Sequence, residues 1–440
     1  MTHQQTLTYF ISKDFEGSFL TLPFDMPEGT AEFRLDYHYP AFHEAQMPAE
    51  HGDFLSRQRI NTIDLGLIGP DRRQVGASGS DKNSISISAT SATPGYHPRP
   101  LTPGVWQIII GAYKVAPQGV TVTYELTFTP RERELLIGDI HTHTTASDGV
   151  LTLPELAAHA KRHNLEFLAI TDHNQSTPSE VLDSVAETAG ITLIPGIEWT
   201  HYQGHANFLG VDQPYDPPFF THTPEEARSR FLSARERGAL IIINHPFDES
   251  CGFTYDLNTI PFDCIEIWNG PMRESNLRAV GLWHSLLVSG KRIPAVGGSD
   301  YHRDNLFQIL GGPCMGVYAL SKSPGDILTA IRKGHSFITF APVGPHLDMR
   351  VGDDAIMGDA LPWQAGQTIQ ISARKLNKGD ILRVITSDQQ IDLFQAPSDG
   401  EANLNYAVPS PGFARVEIYR TFLPGLPPLP ALISNPIYFE

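Results

Sequence analysis

Histidine and carboxylate residues recur at the ends of apolar segments in the middle of this 440-residue chain. The first group is His141-Thr-His143, which is followed by Asp148. Alternate side chains of an extended segment point to the same side, so the imidazoles of His141 and His143 can reach one ion. Imidazole and carboxylate ligands together suit Zn, Mn or Fe. The group therefore predicts a metal site, although an H-x-H pair alone is a weak signal.

Ligand-type residues follow or precede further apolar segments along the chain. The spacing of Asp300 and His302 repeats that of the first pair, and Glu198 has two oxygens with which to bridge two ions. The complete set of predicted metal ligands is His141, His143, Asp148, His173, Glu198, His205, His245, Asp300 and His302. Because the carboxyl ends of parallel strands converge on one face of an α/β sheet or barrel, this recurrence is a strong signal.

The segment that carries these residues shows the alternation of a β/α protein. Amphipathic helices are predicted between the strands, and capping boxes such as Thr152-Leu-Pro-Glu155 mark their starts. The seven predicted strands are 135–141, 166–172, 191–198, 205–211, 239–244, 264–268 and 292–297. This order of elements predicts an α/β fold with a parallel sheet or barrel.

The flanking segments have β character, with short apolar runs separated by Pro and Gly. We expect a β-rich, sandwich-like domain over 1–133, a β/α catalytic domain over 134–340 and a second β domain over 341–440. Residues 70–104 are rich in Ser, Gly and Pro and predict a long surface loop around at most one strand, Ser84–Ser88.

Composition limits the classes of function. The chain is 41% hydrophobic and 18% charged, as expected of a folded soluble protein. Its formal charge of −17 argues against a nucleic-acid polymer as partner. The three cysteines form no C-x-x-C pair, so neither a disulfide framework nor a thiolate zinc site is predicted. With no signal peptide and no membrane-spanning segment recognised, we expect a cytoplasmic protein without a membrane partner.

The ligand motifs resemble those of a known family. Gly138-Asp-Ile-His141-Thr-His143-Thr-Thr-Ala-Ser-Asp148 resembles the first motif of the PHP (polymerase and histidinol phosphatase) family. The later ligand groups resemble the family's subsequent motifs in order, and the resemblance covers about 134–340. Two flanking segments, Gly111-Ala-Tyr113 and Ser434-Asn-Pro-Ile-Tyr438, more loosely resemble its carbaryl-hydrolase-like (CehA/McbA) branch.

The PHP resemblance implies a distorted seven-stranded β/α barrel of the TIM-like type, flanked by the N- and C-terminal β domains. It also implies a trinuclear site. The first metal would be held by His141, His143, Glu198 and Asp300, the second by Glu198, His205 and His245, and the third by Asp148, His173 and His302. Many relatives carry His where this chain has Asp148, so two or three divalent ions (Zn, Mn or Fe) are expected.

Resemblance and charge together predict a metal-dependent phosphoesterase acting on a small phosphate mono- or diester. Three divalent ions would outweigh three carboxylates and a hydroxide, which favours an anionic, phosphorylated substrate. We expect a metal-bridging hydroxide to attack phosphorus, with Glu198 and Asp300 holding the metals. Arg273 and Arg303 are candidates for binding the phosphate oxygens, and either a metal-bound water or His201 would protonate the leaving group.

Other interpretations stay open at this point. The same ligands would serve hydrolysis of a carboxylic or carbamic ester, and a non-catalytic metal-loaded module that binds glycan or a partner is a third function. Arg273 and Arg303 are equally well explained as surface arginines. His159 and His163 lack the Glu of H-E-x-x-H, so they are better explained as a solvated helix face. Oligomerisation through the β domains is compatible with the sequence.

Overall fold

The computed structural model describes residues 2–43, 47–48, 55–56, 59–305, 308–352 and 355–440. The chain divides into two compact units, Met1–Glu132 and Arg133–Glu440. Among the helices in the described ranges, none is both long and apolar enough to cross a bilayer.

The first unit is β structure with one short 3-10 turn, Lys13–Phe15. Its described strands are β1 (His3–Ile11), β2 (Phe19–Met26), β3 (Thr30–His38), β4 (Met47–Pro48), β5 (Leu55–Ser56), β6 (Thr62–Ile68), β7 (Gln74–Ser78), β8 (Ser84–Ser88), β9 (Gly104–Lys114) and β10 (Val120–Pro130).

Two antiparallel four-stranded sheets, ordered β1-β10-β3-β8 and β2-β9-β6-β7, share one hydrophobic core. Alternation places Val122, Tyr124 and Leu126 of β10 inside it. The expectation of at most one strand within 70–104 is wrong, because β7 and β8 both lie there. Small residues hide β7 in the sequence, since only Val75 supplies a large buried side chain.

The second unit begins with alternating strands and helices. Their bounds are β11 (Glu134–Asp139), α1 (Leu153–Arg162), β12 (Phe167–Ile170), α2 (Ser179–Ala189), β13 (Thr192–His201), β14 (Gly204–Leu209), α3 (Pro224–Glu236), β15 (Leu240–Ile243), β16 (Cys264–Asn269), α4 (Glu274–Val288), β17 (Ala295–Gly298), β18 (Cys314–Ala319), α5 (Pro324–Lys333) and β19 (Ser336–Thr339). The fold is therefore mixed α/β, and each of the seven predicted strand segments overlaps a strand.

Strands β11 to β17 are neighbours in sequence order. The pairs β11–β12, β12–β13, β15–β16 and β16–β17 are parallel, as predicted. The fourth strand, β14, is antiparallel to both β13 and β15 instead. A two-residue turn, Tyr202-Gln203, joins β13 to β14 as a hairpin, and such a short connection can only reverse the chain.

A closed TIM-like barrel is not shown, because in the described chain the hydrogen-bonded ladder does not close. Instead, β11 pairs with β18, which leads on to β19. An isolated parallel bridge joins Thr142 to Tyr301 just beyond the ends of β11 and β17. The His143 N–H donates to the Tyr301 carbonyl there at 2.9 Å. This bridge brings the first and last ligand-bearing segments together.

The remaining strands are β20 (His346–Val351), β21 (Ala355–Ile356), β22 (Ala360–Leu361), β23 (Thr368–Leu376), β24 (Ile381–Ile385), β25 (Gln390–Gln395), β26 (Gly400–Ala407), β27 (Gly412–Arg420), β28 (Leu429–Ser434) and β29 (Ile437–Phe439). Strand β28 pairs with β19, so the C-terminal segment continues the ladder of the α/β strands. The predicted three-domain division, with its boundary at 340/341, stays a prediction.

Candidate metal centre

Glu198 lies at the centre of the ligand cluster. It is fully buried on β13, and its two carboxylate oxygens face five imidazoles brought in by other segments. The oxygen–nitrogen distances are 3.2 Å to His141 Nε2, 3.4 Å to His143 Nε2, 2.8 Å to His173 Nδ1, 3.1 Å to His205 Nδ1 and 3.3 Å to His245 Nε2. One carboxylate thus joins residues that are far apart in sequence.

Asp300 completes a compact set with His141, His143 and Glu198. Its Oδ1 atom lies 3.4 Å from His141 Nε2 and 3.1 Å from His143 Nε2. Its backbone has a φ of 52°, a left-handed conformation that is uncommon for a residue other than glycine. Donor atoms of these four residues all lie within 4.8 Å of one another. The PHP resemblance implied that these four residues surround one metal, and the structure brings them together.

Four atoms of this set are buried and make no hydrogen bond: His141 Nε2, His143 Nε2, Glu198 Oε2 and Asp300 Oδ1. Buried polar atoms are normally satisfied, so orphaned atoms facing one another call for a partner. Two ligands of one tetrahedral ion with bonds of 2.0–2.2 Å would lie about 3.3–3.6 Å apart. The distances found between these residues, 3.1–3.4 Å, are close to that spacing and extend slightly below it. The set therefore fits a divalent metal ion.

A second group lies at the more accessible side of the cluster. Asp148 Oδ1 is 3.1 Å from His302 Nε2, 3.6 Å from His173 Nε2 and 4.0 Å from His143 Nδ1. The side chain of Asp148 is 57% exposed, against 26% for His173 and 21% for His302. This group contains the three residues expected around a third metal, and its open carboxylate is the side from which solvent reaches the centre.

His205 and His245 form the remaining group, together with a residue that the sequence analysis left out. Donor atoms of His205, His245 and Cys251 all lie within 4.8 Å of one another. His205 stands at the start of the antiparallel strand β14. That reversal places it at the same edge as the carboxyl ends of the parallel strands. All nine predicted ligands therefore converge, while their roles as ligands remain predictions.

The outward ring nitrogens of several imidazoles are held by neighbours. Nδ1 of His141 is 2.9 Å from Glu266 Oε1, and Nδ1 of His302 is 2.8 Å from the Asp300 carbonyl. Each contact leaves Nε2 directed at the cluster. Ligating histidines are characteristically fixed in this way, which sets both the tautomer and the ring orientation.

Buried carboxylates outside the ligand set fasten the loops that carry it. Asp172, within the Thr171-Asp172-His173 group, accepts hydrogen bonds from the backbone and hydroxyl of Thr144 and from Ser147. Asp139 accepts from the backbone of His141 and from Ser299. Burial raises the pKa of Asp139 to about 6, against the lowering effect of those hydrogen bonds.

The electrostatics of the cluster favour a bound cation. Burial alone would raise the pKa of Glu198, but the neighbouring imidazoles of His141, His173 and His205 lower it well below its usual value. The pKa of Asp300 is lowered in the same way by His141 and His143, again against burial. Both carboxylates are thus held ionised by positive charge, which protons or metal ions can supply.

The two predicted phosphate-binding arginines lie in different surroundings. The Arg273 side chain is about half exposed and donates to Asp248 at 3.0 Å and to Asn269 at 3.3 Å. Asn269 in turn donates to Asp300 Oδ2 at 3.3 Å, so Arg273 is connected to a predicted ligand through Asn269. Arg303 is exposed, and it is the residue that directly follows the predicted ligand His302.

His201, a candidate proton donor, is bound to protein on both ring nitrogens. Nε2 lies 3.2 Å from the Thr221 carbonyl and Nδ1 lies 2.9 Å from the Tyr255 hydroxyl. Its ring stacks on Trp199, with centroids 5.4 Å apart. We therefore interpret His201 as an anchor for the loop after β14. The structure does not place it among the ligand residues.

Sequence reasoning missed Glu266 and Cys251. Glu266 interrupts the apolar run of β16, and a charged residue inside such a run is a detectable signal. Strand β16 was the sixth predicted strand, to which no metal ligand was assigned. Cys251 lies six residues after His245 and was set aside because it has no C-x-x-C partner.

An α/β sheet with a multi-ligand His and carboxylate cluster at its strand ends defines a class of metal-binding α/β proteins. Residues 139–255 match the family model of the PHP domain. This segment of the chain therefore matches the PHP domain, as the resemblance of its motifs predicted. The finer resemblance to the CehA/McbA branch stays a prediction.

Known proteins similar to this chain cover it in part. The 5'-3' exoribonuclease Rnm of Salmonella typhimurium is 34% identical over 110 residues, which is 23% of this chain and 38% of that protein. The 3',5'-nucleoside bisphosphate phosphatase of Chromobacterium violaceum is 30% identical over 105 residues, 23% of this chain and 36% of that protein. The chain thus spans little more than a third of these curated relatives.

One similar solved structure is a two-domain protein of Bacteroides vulgatus that contains a predicted PHP-like metal-dependent phosphoesterase. The structural alignment covers 70% of this chain and 97% of that chain. The TM-score is 0.41 and the sequence identity 18%.

Proposed function

We propose that this chain is a metal-dependent phosphoesterase that hydrolyses a small phosphate mono- or diester. The observation that carries the proposal is the set of buried, unpartnered donor atoms around Glu198 and Asp300. Divalent ions bound by such a set lower the pKa of a coordinated water from 15.7 to as little as ~7 and polarise a phosphoryl oxygen. The phosphatase among the relatives supports the choice of phosphate over other esters.

Within this proposal the nine ligands keep the trinuclear division that the PHP resemblance implies. Glu198 would be a ligand of both the first and the second metal, and Asp148 would be a ligand of the third. Strands β11 to β17 would be the seven strands of the distorted barrel that the resemblance implies, with the hydrogen-bonded ladder of the described residues left open. Zn, Mn and Fe are the candidate ions, because the set is dominated by imidazole and carboxylate.

Substrate would enter from the side of Asp148, whose carboxylate is the most exposed of the ligand set. Arg273 exchanges its contact with Asp248 for a phosphate oxygen, and Arg303 binds from the solvent side. A charge-assisted hydrogen bond of this kind contributes ~1.5–3 kcal/mol, so Arg273→Ala should raise KM about tenfold or more for a phosphate ester. An unchanged KM would remove Arg273 from the site.

RNA is the second candidate substrate, because relatives of this chain are named exoribonucleases. The formal charge of −17 disfavours extended contact with a phosphate backbone. A small phosphorylated substrate therefore remains the first choice, with the end of a short RNA as an outcome of the test.

The test combines metal analysis with hydrolysis assays on the full chain. An aryl phosphate, a bis-aryl phosphate, a short 5'-phosphorylated RNA and an aryl carbamate are offered to the metal-loaded protein. Turnover of either phosphate ester is expected, and turnover of the carbamate alone would overturn the proposal. Glu198→Gln should lose bound metal and activity together, whereas the control Glu187→Gln, on the exposed face of α2, should lose neither.

A further inference from the structure

Cys251 lies beside two of the predicted metal ligands. It follows His245 in the loop after β15, and its Sγ atom is 3.6 Å from His245 Nδ1. Its sulfur and donor atoms of His205 and His245 lie within 4.8 Å of one another. The sulfur is thus part of a three-residue donor cluster.

The other donors of this cluster are well placed for one ion. The side chains of His205 and His245 are only 13% and 4% exposed. Glu198 Oε1 lies 3.1 Å from His205 Nδ1 and 3.3 Å from His245 Nε2, whereas the sulfur lies beside His245 Nδ1. Two imidazoles and a thiol make three protein donors, and an open zinc site of three protein ligands keeps its fourth position for water or substrate.

The three cysteines differ in their access to an ion. Cys264 and Cys314 are fully buried in the hydrophobic cores, and burial raises the pKa of each thiol. Cys251 is only partly buried and has polar neighbours, with Asp248 Oδ1 3.4 Å from its sulfur. Cys264 is therefore a matched internal control for Cys251.

We propose that Cys251 supplies a thiolate ligand to a metal ion held together with His205 and His245. The proposal rests on the metal centre of the proposed function and deepens it. On binding, the S–H bond breaks, its proton leaves to solvent, and the sulfur electron pair forms the bond to the metal. No atom changes oxidation state.

A thiolate would separate this position chemically from the others, which offer only nitrogen and oxygen. Soft sulfur ligands select zinc and iron over manganese and magnesium. The chain would therefore hold zinc or iron at the Cys251 position even when manganese is in excess.

The test uses the full chain freed of metal and titrated with Co²⁺, which reports sulfur ligation through a near-ultraviolet charge-transfer band. The wild-type protein should develop this band, Cys251→Ala should lose it, and Cys264→Ala should retain it. A wild-type protein without the band, or Cys251→Ala with the band intact, would overturn the proposal.

A second measurement keeps the proposal testable if Cys251→Ala fails to fold. The alkylation rate of Cys251 in the wild-type chain is followed by peptide mass spectrometry with and without Zn²⁺. Bound zinc should slow alkylation at least tenfold, and equal rates would count against ligation. Both readouts are independent of catalysis. A cobalt–sulfur band without phosphate ester hydrolysis would support Cys251 as a ligand and contradict the proposed function. Hydrolysis without the band would support the proposed function and contradict Cys251 as a ligand.

Discussion

At the scale of single residues, the centre depends on side chains that never face the metal position themselves. Glu266 accepts from His141 Nδ1 and also from the backbone N–H of His245, at 2.9 Å in each case. It therefore fixes two predicted ligands at once. Asn244 does the same for the bridging carboxylate, since it donates to Glu198 Oε1 at 2.8 Å. Such contacts orient the nitrogen and oxygen atoms of the predicted ligands before a metal ion binds.

Replacing Glu266 should therefore weaken metal binding although Glu266 is not a predicted ligand. Glu266→Gln keeps the shape but removes the charge that orients His141, and loss of such a partner typically costs 10–100-fold in metal affinity. Competition with a chromophoric chelator measures the change in the dissociation constant for Zn²⁺. The exposed Glu187→Gln serves as control, and equal affinities in the two variants would contradict the role given to Glu266.

The sequence predicted the ligand-type residues better than their supports. His141-x-His143 and Asp300-x-His302 are recognisable because local spacing alone places both side chains on one side of the chain. Glu266 supports His141 from 125 positions away, and that contact exists only because β16, β17 and β11 converge. Long-range contacts of this kind produce no local spacing pattern, so they could not be predicted from the sequence. The ligand roles themselves await metal analysis.

At the scale of elements, helix and strand positions followed from local signals more closely than strand direction did. Thr152 caps α1 as predicted, with Glu155 accepting from the Thr152 N–H at 2.9 Å, and Gly190 ends α2 in a left-handed conformation. The reversal at β14 was missed because Tyr202-Gln203 lacks the Asn-Gly or Gly-containing signature of a two-residue hairpin turn.

The approach of β17 to β11 depends on a glycine. A Cβ at Gly298 would lie 2.5 Å from the Cβ of His141 and 3.2 Å from Glu266 Oε1. Gly298→Ala should therefore displace His141 and weaken metal binding, with an overpacking cost of ~1–3 kcal/mol in stability. Urea unfolding and a zinc titration on the same samples measure both effects.

Gly281→Ala is the matched control for that substitution. A Cβ at Gly281 of α4 meets nothing within 4 Å, so alanine should be neutral or stabilise the protein by up to ~1 kcal/mol through helix propensity. If Gly298→Ala bound zinc as tightly as Gly281→Ala, close packing at the strand end would not be what positions His141.

His346, the first residue of β20 and paired with Arg374 of β23, should make the second unit sensitive to acid. Burial, and secondarily the charge of Lys375, lower the pKa of His346 to about 4 from 6.5. The unfolded chain therefore binds this proton first as pH falls, so the stabilising contribution is complete above pH 6.5 and is lost between about 6.5 and 4. His346→Gln should flatten the decline of the urea midpoint over that window, and an unchanged pH profile would refute the assignment.

At the scale of the whole molecule, all nine predicted ligands belong to the unit Arg133–Glu440. The ladder from β11 through β18, β19 and β28 runs across the predicted boundary at 340. The sequence did not indicate this continuity, because the return to β character after 340 is typical of a separate domain as well as of added strands. Stabilisation by metal should accordingly extend over one unit and spare the other.

Metal removal should therefore loosen the second unit selectively. An ion that binds the native state alone stabilises it by ~2.7 kcal/mol at a free concentration of 100 times its Kd. Without metal, peptides that cover β11, β13 and β17 should exchange amide hydrogens faster, because their strand ends then carry unbalanced buried carboxylates and imidazoles. Hydrogen-exchange mass spectrometry of zinc-free and zinc-loaded protein measures this directly.

Peptides from β9 and β10, in the unit Met1–Glu132, should exchange at the same rate in both samples. Acceleration of equal size in both units would show that the metal acts on the whole chain and would contradict a centre confined to the second unit.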